Sequence, residues 1–232
     1  MIPEGRKLHP MNTNSRKFDM LFKDPPKLHF WAGDWQTGGL GWRKIFEDMS
    51  DMLKDSTQGH SGVIIETGAG LSTLVFLLLP IHKLISVAPD PGLKERIYTE
   101  ASARKIETKP LDFYVARSEE ILPQLTLKPA FIDLGLIDGG HGWPTVFVDF
   151  CYISRSLKNG GYIVIDDIKL YSVNQLVLLL MNQPGWKLVM LKEKLAAFKK
   201  ENDEPFLPDF GKQPYIVKNS TIPLKDWSLN QK

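Results

Sequence analysis

Phe131-Ile132-Asp133-Leu134-Gly135-Leu136-Ile137-Asp138-Gly139-Gly140-His141 and, further on, Gly161-Tyr162-Ile163-Val164-Ile165-Asp166-Asp167 decide how the rest of the chain reads. Each is an apolar run that ends in acidic residues. Between them Val146, Phe150, Ile153 and Leu157 recur on one helical face, and Asn159-Gly160-Gly161 reads as the helix stop. Strand, helix and strand in that order form a βαβ unit, in which both strand ends open onto the same edge of the sheet. Asp138, His141, Asp166 and Asp167 therefore converge where open α/β sheets bind ligands. Clustered carboxylate oxygens suit Mg²⁺ or a similar divalent ion, and a nearby imidazole can take a proton. Aspartate also caps helices and forms turns after strands. Capping accounts for one or two of these residues, not for three at adjacent strand ends. Asp133, inside the strand pattern, reads as an edge or turn feature rather than a ligand.

The alternation extends in both directions. Upstream, helical spacing over residues 42–53 precedes a β-branched strand at 63–65 and a helix over 71–79 stopped by Pro80. A strand at 83–87, a helix at 93–105, a strand at 111–116 and a short helix at 118–125 lead to Phe131. Downstream, a buried helix over 173–181 is followed by an antiparallel pair at 186–191 and 195–198. The expected fold is α/β and Rossmann-like, a seven-stranded, mostly parallel sheet with an antiparallel last strand. Residues 1–40 read as an irregular arm with a short helix, 41–200 as the domain and 201–232 as a C-terminal extension. Trp31, Trp35 and Trp42 are candidates either to wall a pocket or to pin the arm, and Trp186 to pack the last strand.

Composition limits the function classes. Hydrophobic residues at 43% and charged residues at 24% are ordinary for a globular domain, and a net charge of +2 gives no footprint for nucleic acid. One cysteine, Cys151 on a helical pattern, excludes an internal disulfide and reads as a packed thiol in a reducing compartment. The first residues carry no apolar segment of the secretory kind, and the run from Leu176 to Met181 is too short to span a bilayer. The expectation is a cytoplasmic protein without a membrane or nucleic-acid partner. Homo-oligomerisation is left open.

The first strand ends in a second informative turn, Glu66-Thr67-Gly68-Ala69-Gly70-Leu71-Ser72-Thr73. Gly68 and Gly70 allow a tight turn and a close backbone approach to a ligand. A dinucleotide site favours a third glycine where Thr73 stands and an acid about twenty residues on, where the chain has Ala88. A carboxylate at Glu66 can hold an ammonium, directly or through water, while the turn's N–H groups meet a carboxylate. That pattern favours S-adenosylmethionine over a nicotinamide.

With these motifs the chain resembles the class I S-adenosylmethionine-dependent methyltransferases over residues 38–200. Within them it is similar to the metal-dependent O-methyltransferases, the macrocin and mycinamicin sugar enzymes and more distantly the catechol and caffeoyl-CoA enzymes. The resemblance implies a cofactor site of Glu66, Thr67, Gly68, Ala69, Gly70, Ser72, Thr73 and Asp138, with Ser118 and Glu119 at the adenine. It implies a divalent metal, Mg²⁺, on Asp138, Asp166 and Asp167, His141 as general base, and a small-molecule hydroxyl as acceptor. Ala88 stands where the family has its ribose-binding acid, so Asp90 is the candidate for that contact. Trp143, two residues past His141, is the candidate acceptor contact.

Overall fold

The computed structural model describes residues 13–30, 40–203 and 209–219. Trp31 and Trp35 lie outside them. A helix α1 (Thr13–Lys23) and a long helix α2 (Leu40–Thr57) precede the sheet. Then β1 (Gly62–Thr67), α3 (Leu71–Phe76), β2 (Ile81–Ala88), α4 (Pro91–Ala103), β3 (Leu111–Val115) and α5 (Ser118–Ile121) form the first half. The second half is β4 (Ile132–Ile137), α6 (Thr145–Ser156), β5 (Leu157–Ile165), α7 (Tyr171–Asn182), β6 (Trp186–Lys192) and β7 (Leu195–Lys200). A short helix α8 (Pro214–Asn219) lies against α7, where the Tyr215 hydroxyl meets Gln175 Oε1 at 3.0 Å.

The sheet order is β3-β2-β1-β4-β5-β7-β6. Strands β1 to β5 pair in parallel, and β7 enters antiparallel between β5 and β6. This is the expected doubly wound, mostly parallel sheet, closed at one edge by a hairpin. Successive side chains along a strand point to opposite faces, so each strand feeds two cores. Ile64, Leu84 and Leu134 pack with α2, α3 and α4, whereas Ile65, Ile85 and Ile163 pack with α6 and α7. The arm joins the first core through Leu21 and Leu28, both fully or nearly fully buried.

Two local readings change. Residues 158–161 do not end a helix. β5 begins at Leu157, opposite Ile132, and the next paired step is Leu134 with Tyr162, so the four residues between form a bulge. Gly160 takes the left-handed conformation there, at φ 82°. The second change is Asp133, which is neither edge nor turn. It is fully buried in β4, where Oδ2 accepts from Val63 N at 2.8 Å and Oδ1 from Ser56 Oγ at 3.2 Å and Lys158 Nζ at 2.7 Å. The carboxylate thereby bolts β1, α2 and the β5 bulge together at the end of the sheet away from the acidic cluster. Asp133→Ala removes the acceptor and leaves a buried N–H unpaired, so unfolding in urea should show a loss of about 2–3 kcal/mol with an unchanged slope.

Candidate active site

The parallel register sets the site. Thr67, Ile137 and Ile165 lie in one row across β1, β4 and β5, so Asp138 and Asp166 both begin the next row at the carboxyl edge. The ladder extends one bond beyond each strand: Asp138 N donates to Thr67 O at 2.8 Å, and Asp166 N to Ile137 O at 3.0 Å. The Ser172 hydroxyl donates to the His141 carbonyl and ties the loop after β4 to the start of α7.

The glycine turn sits on the same edge. Gly68 has φ 85°, and a β-carbon there would stand 2.0 Å from the Asp138 carbonyl oxygen. Its glycine is required by the sheet edge itself, before any ligand is considered. Gly70 donates to Thr73 Oγ1 at 3.0 Å. Glu66 is fully buried below the turn, with Oε1 accepting from Thr73 at 2.5 Å and Ser86 at 2.6 Å and Oε2 from Ser72 at 2.6 Å. The carboxylate thus fastens strand β1, strand β2 and helix α3 to one another. In this arrangement it supports the glycine turn from beneath.

Other candidates are distributed around that turn. Ser118 opens α5 and is buried, while Glu119 is partly exposed beside Arg117. Asp90 caps α4, accepting from Gly92 N at 2.8 Å, and pairs with Arg96 at 2.7 Å. The Arg96 guanidinium holds its carboxyl below the usual range. Sequence reading did not single out Arg96, which also donates to Leu28 O at 2.5 Å and stacks 4.4 Å from the Phe30 ring centroid. This clamp lays the arm across the turn, where His29 meets the Ala69 backbone and burial lowers its pKa. Nor was Asp149 singled out. It is fully buried on α6 and faces Thr67 and Ser118, yet neither of its oxygens has a well-formed hydrogen bond, and the Thr67 hydroxyl is likewise unpaired. Burial pushes the Asp149 carboxyl up to about 6. Orphaned polar atoms beside a glycine turn fit a ligand that supplies their missing partners, so the chain has the means to hold the implied cofactor.

The acidic cluster forms one connected chain of charges. His141 lies 3.7 Å by Nε2 from Asp138 Oδ1 and 3.4 Å by Nδ1 from Asp167 Oδ2. Asp138 raises the imidazole pKa, and burial together with the Asp166 carboxylate lifts Asp138 above the ordinary carboxylate range. The residue no sequence signal marked is Lys194. Its Nζ stands 3.0 Å from Asp166 Oδ2 and 3.2 Å from Asp167 Oδ1. Among the described residues no group of three His, Cys, Asp or Glu side chains is arranged to hold a metal ion. Asp138, Asp166 and Asp167 are brought together, but as they stand they do not fit a divalent ion. Trp143 is 79% exposed and reaches no interior partner, whereas Trp186 packs on Phe150 with ring centroids 5.3 Å apart. His60 and His82 are exposed, and Cys151 is half-buried on α6.

This is a class I methyltransferase fold, with a glycine turn after β1 and an acidic edge at β4 and β5. Residues 65–168 match the sequence model of a methyltransferase domain family, and that stretch runs from the end of β1 to just past β5. Over that stretch the chain is similar to methyltransferase domains, and its fold is theirs. No curated protein matches the sequence. Among solved structures, a putative O-methyltransferase from Klebsiella pneumoniae is similar at TM-score 0.61 and 14% identity, over 87% of this chain and 93% of that one. The O-methyltransferase TomG from Streptomyces achromogenes, involved in tomaymycin synthesis and solved with S-adenosylmethionine, gives 0.60 and 14%, over 84% and 92%. A putative caffeoyl-CoA O-methyltransferase from Staphylococcus aureus gives 0.55 and 15%, over 68% and 83%. At such identities the likeness is one of fold. No helix among the described residues is long and apolar enough to cross a membrane.

Glu66 makes the turn sensitive to pH. Burial pushes its carboxyl up from 4.5 to about 7. An acid whose folded pKa exceeds its unfolded one stabilises the fold fully below the unfolded value, and that contribution is lost as pH rises through the folded value. Between pH 4.5 and 7 the unfolding free energy should therefore fall by at most about 3 kcal/mol relative to Glu66→Gln. Urea titrations of both proteins across that interval check it, and parallel pH curves would count against the assignment.

Proposed function

We propose that the chain transfers a methyl group from S-adenosylmethionine to a hydroxyl oxygen of a small molecule, with His141 as the base. The observation that carries this reading is the placement of His141. It stands between Asp138 and Asp167, on the loop that begins against the cofactor turn. The bound cofactor supplies an electrophilic methyl carbon on a sulfonium sulfur. The chain's part is to hold the acceptor in line with that carbon and to take its proton. Asp167 faces Nδ1 and Asp138 faces Nε2, so the two carboxylates orient the ring from both nitrogens. The acceptor's proton would pass to this imidazole. The neighbouring carboxylates stabilise the imidazolium that results.

On the cofactor side, the turn from Gly68 to Gly70 would cradle the methionine moiety. Ser118, Glu119 and the buried Asp149 carboxyl would flank the adenine, and Asp90 would offer the ribose contact in place of Ala88. Sugar hydroxyls and phenols are the acceptor classes that the sequence resemblance favours, and Trp143 is placed on the loop beside His141 to meet them. The same resemblance implies Mg²⁺ on Asp138, Asp166 and Asp167. The convergence of those carboxylates supports a metal-dependent second reading, but Lys194 would first have to leave two of them.

His141→Ala should slow transfer by about 10²–10⁴-fold, the usual worth of a positioned general base. Methyl transfer from radiolabelled S-adenosylmethionine to a panel of phenols and sugars measures it, with cofactor binding followed in parallel by calorimetry. Retained binding with lost transfer is the expected pair of results. Full transfer by the variant would falsify the base assignment, and absent binding in the parent would remove the methyltransferase reading altogether. Treatment with EDTA separates the two metal readings, since activity lost and restored by Mg²⁺ selects the metal-dependent one.

A further inference from the structure

We propose that Lys194 is a built-in cation that fills the acidic site and takes the place of a divalent ion there. For catalysis this deepens the methyltransferase reading and rests on it; the competition between lysine and metal stands on the geometry alone.

The backbone delivers the lysine. Strand β7 runs antiparallel to β5 with Ile165 opposite Ala196, so the turn that starts β7 must lie beside the carboxyl end of β5. Glu193 adopts the left-handed conformation at φ 39°, and Ile168 N donates to Lys194 O at 3.0 Å. These two features fix the turn directly over Asp166 and Asp167. The ammonium is then held from two sides: besides the two carboxylates, the Trp42 ring of α2 lies with its centroid 4.7 Å from Nζ. Carboxylates on one side and an aromatic face on the other make a complete cation site.

Each candidate metal ligand already has a partner from this chain. Asp166 is 2% exposed; Asp167 N donates to its Oδ1 at 2.7 Å and Lys194 occupies Oδ2. Asp167 gives one oxygen to Lys194 and the other to His141, and Asp138 faces His141. Burying Asp166 without a counter-charge would be costly, and a tethered ammonium supplies that charge at a fixed position. Mg²⁺ needs near-octahedral oxygen ligation at short range and sheds its water reluctantly. To enter it must displace a cation that cannot diffuse away, whose effective concentration is at least in the millimolar range. The lysine and the metal therefore exclude one another, and with the lysine seated the site has its positive charge without a divalent ion.

The test is Mn²⁺ binding to the full-length protein, read by electron paramagnetic resonance of the free ion, with no acceptor needed. Parent protein should show no stoichiometric binding below about millimolar Mn²⁺. Lys194→Met frees the carboxylates and should bind one Mn²⁺ at least about tenfold more tightly, a gap that corresponds to ~1.4 kcal/mol. Asp166→Asn in that background should abolish the gain, and Lys194→Arg, which keeps the charge, should behave as the parent. Should Lys194→Met fail to fold, Lys194→Gln replaces it, since it keeps a hydrogen-bond donor. Equal binding by parent and variant, or binding by neither, overturns the proposal. S-adenosylmethionine calorimetry on the same samples reports separately on the methyltransferase reading, so the two can fail independently.

Discussion

A β-carbon on Gly68 would stand 2.0 Å from the Asp138 carbonyl oxygen, and this contact is what the rest of the site is built around. It joins the turn after β1 to the loop after β4 at a separation only glycine permits. Gly68 N meanwhile donates to Val87 O at 2.9 Å, and Asp138 N to Thr67 O at 2.8 Å, so three strand ends are locked in one plane. The glycine turn and the acidic loop are consequently held together. Glu66 reinforces the arrangement from below, gathering three hydroxyls from α3 and β2 around a single buried carboxylate.

Above that plane, charge rather than apolar packing governs the structure. Three carboxylates, an imidazole and an ammonium lie in sequence as Asp138, His141, Asp167, Lys194 and Asp166, with successive separations of 3.7, 3.4, 3.2 and 3.0 Å. Each charge has an opposite neighbour when His141 is protonated. Removing any one leaves a buried or half-buried group unpaired, and that is costly at low local dielectric. The terminal hairpin thus does more than close the sheet: its turn supplies the cation that lets the acidic residues gather. The N-terminal arm plays a comparable part at the glycine turn. Arg96 holds Leu28 and Phe30, and through them sets His29 over the glycine turn, while its other contact neutralises Asp90.

The fold class and the edge at which chemistry gathers are legible in the residue pattern. Apolar runs of strand length alternating with helical faces admit few architectures, and a parallel βαβ unit necessarily brings Asp138 and Asp166 to one side. The glycine turn was legible for the same reason: its residues are contiguous, and its position after the first strand gives it meaning. Which groups actually meet depends on the packing of distant elements. Asp133 looked like a turn residue because its partners Val63, Ser56 and Lys158 come from distant elements. The three hydroxyls around Glu66 were not legible, because Ser86 comes from the neighbouring strand. Lys194 carried no signal, being one lysine in a basic hairpin, until the register of β7 on β5 set its ammonium against Asp166 and Asp167. Local periodicity encodes elements and their order, whereas pairing between charges far apart in the chain is fixed only when strand register and hairpin geometry bring them within a few ångströms.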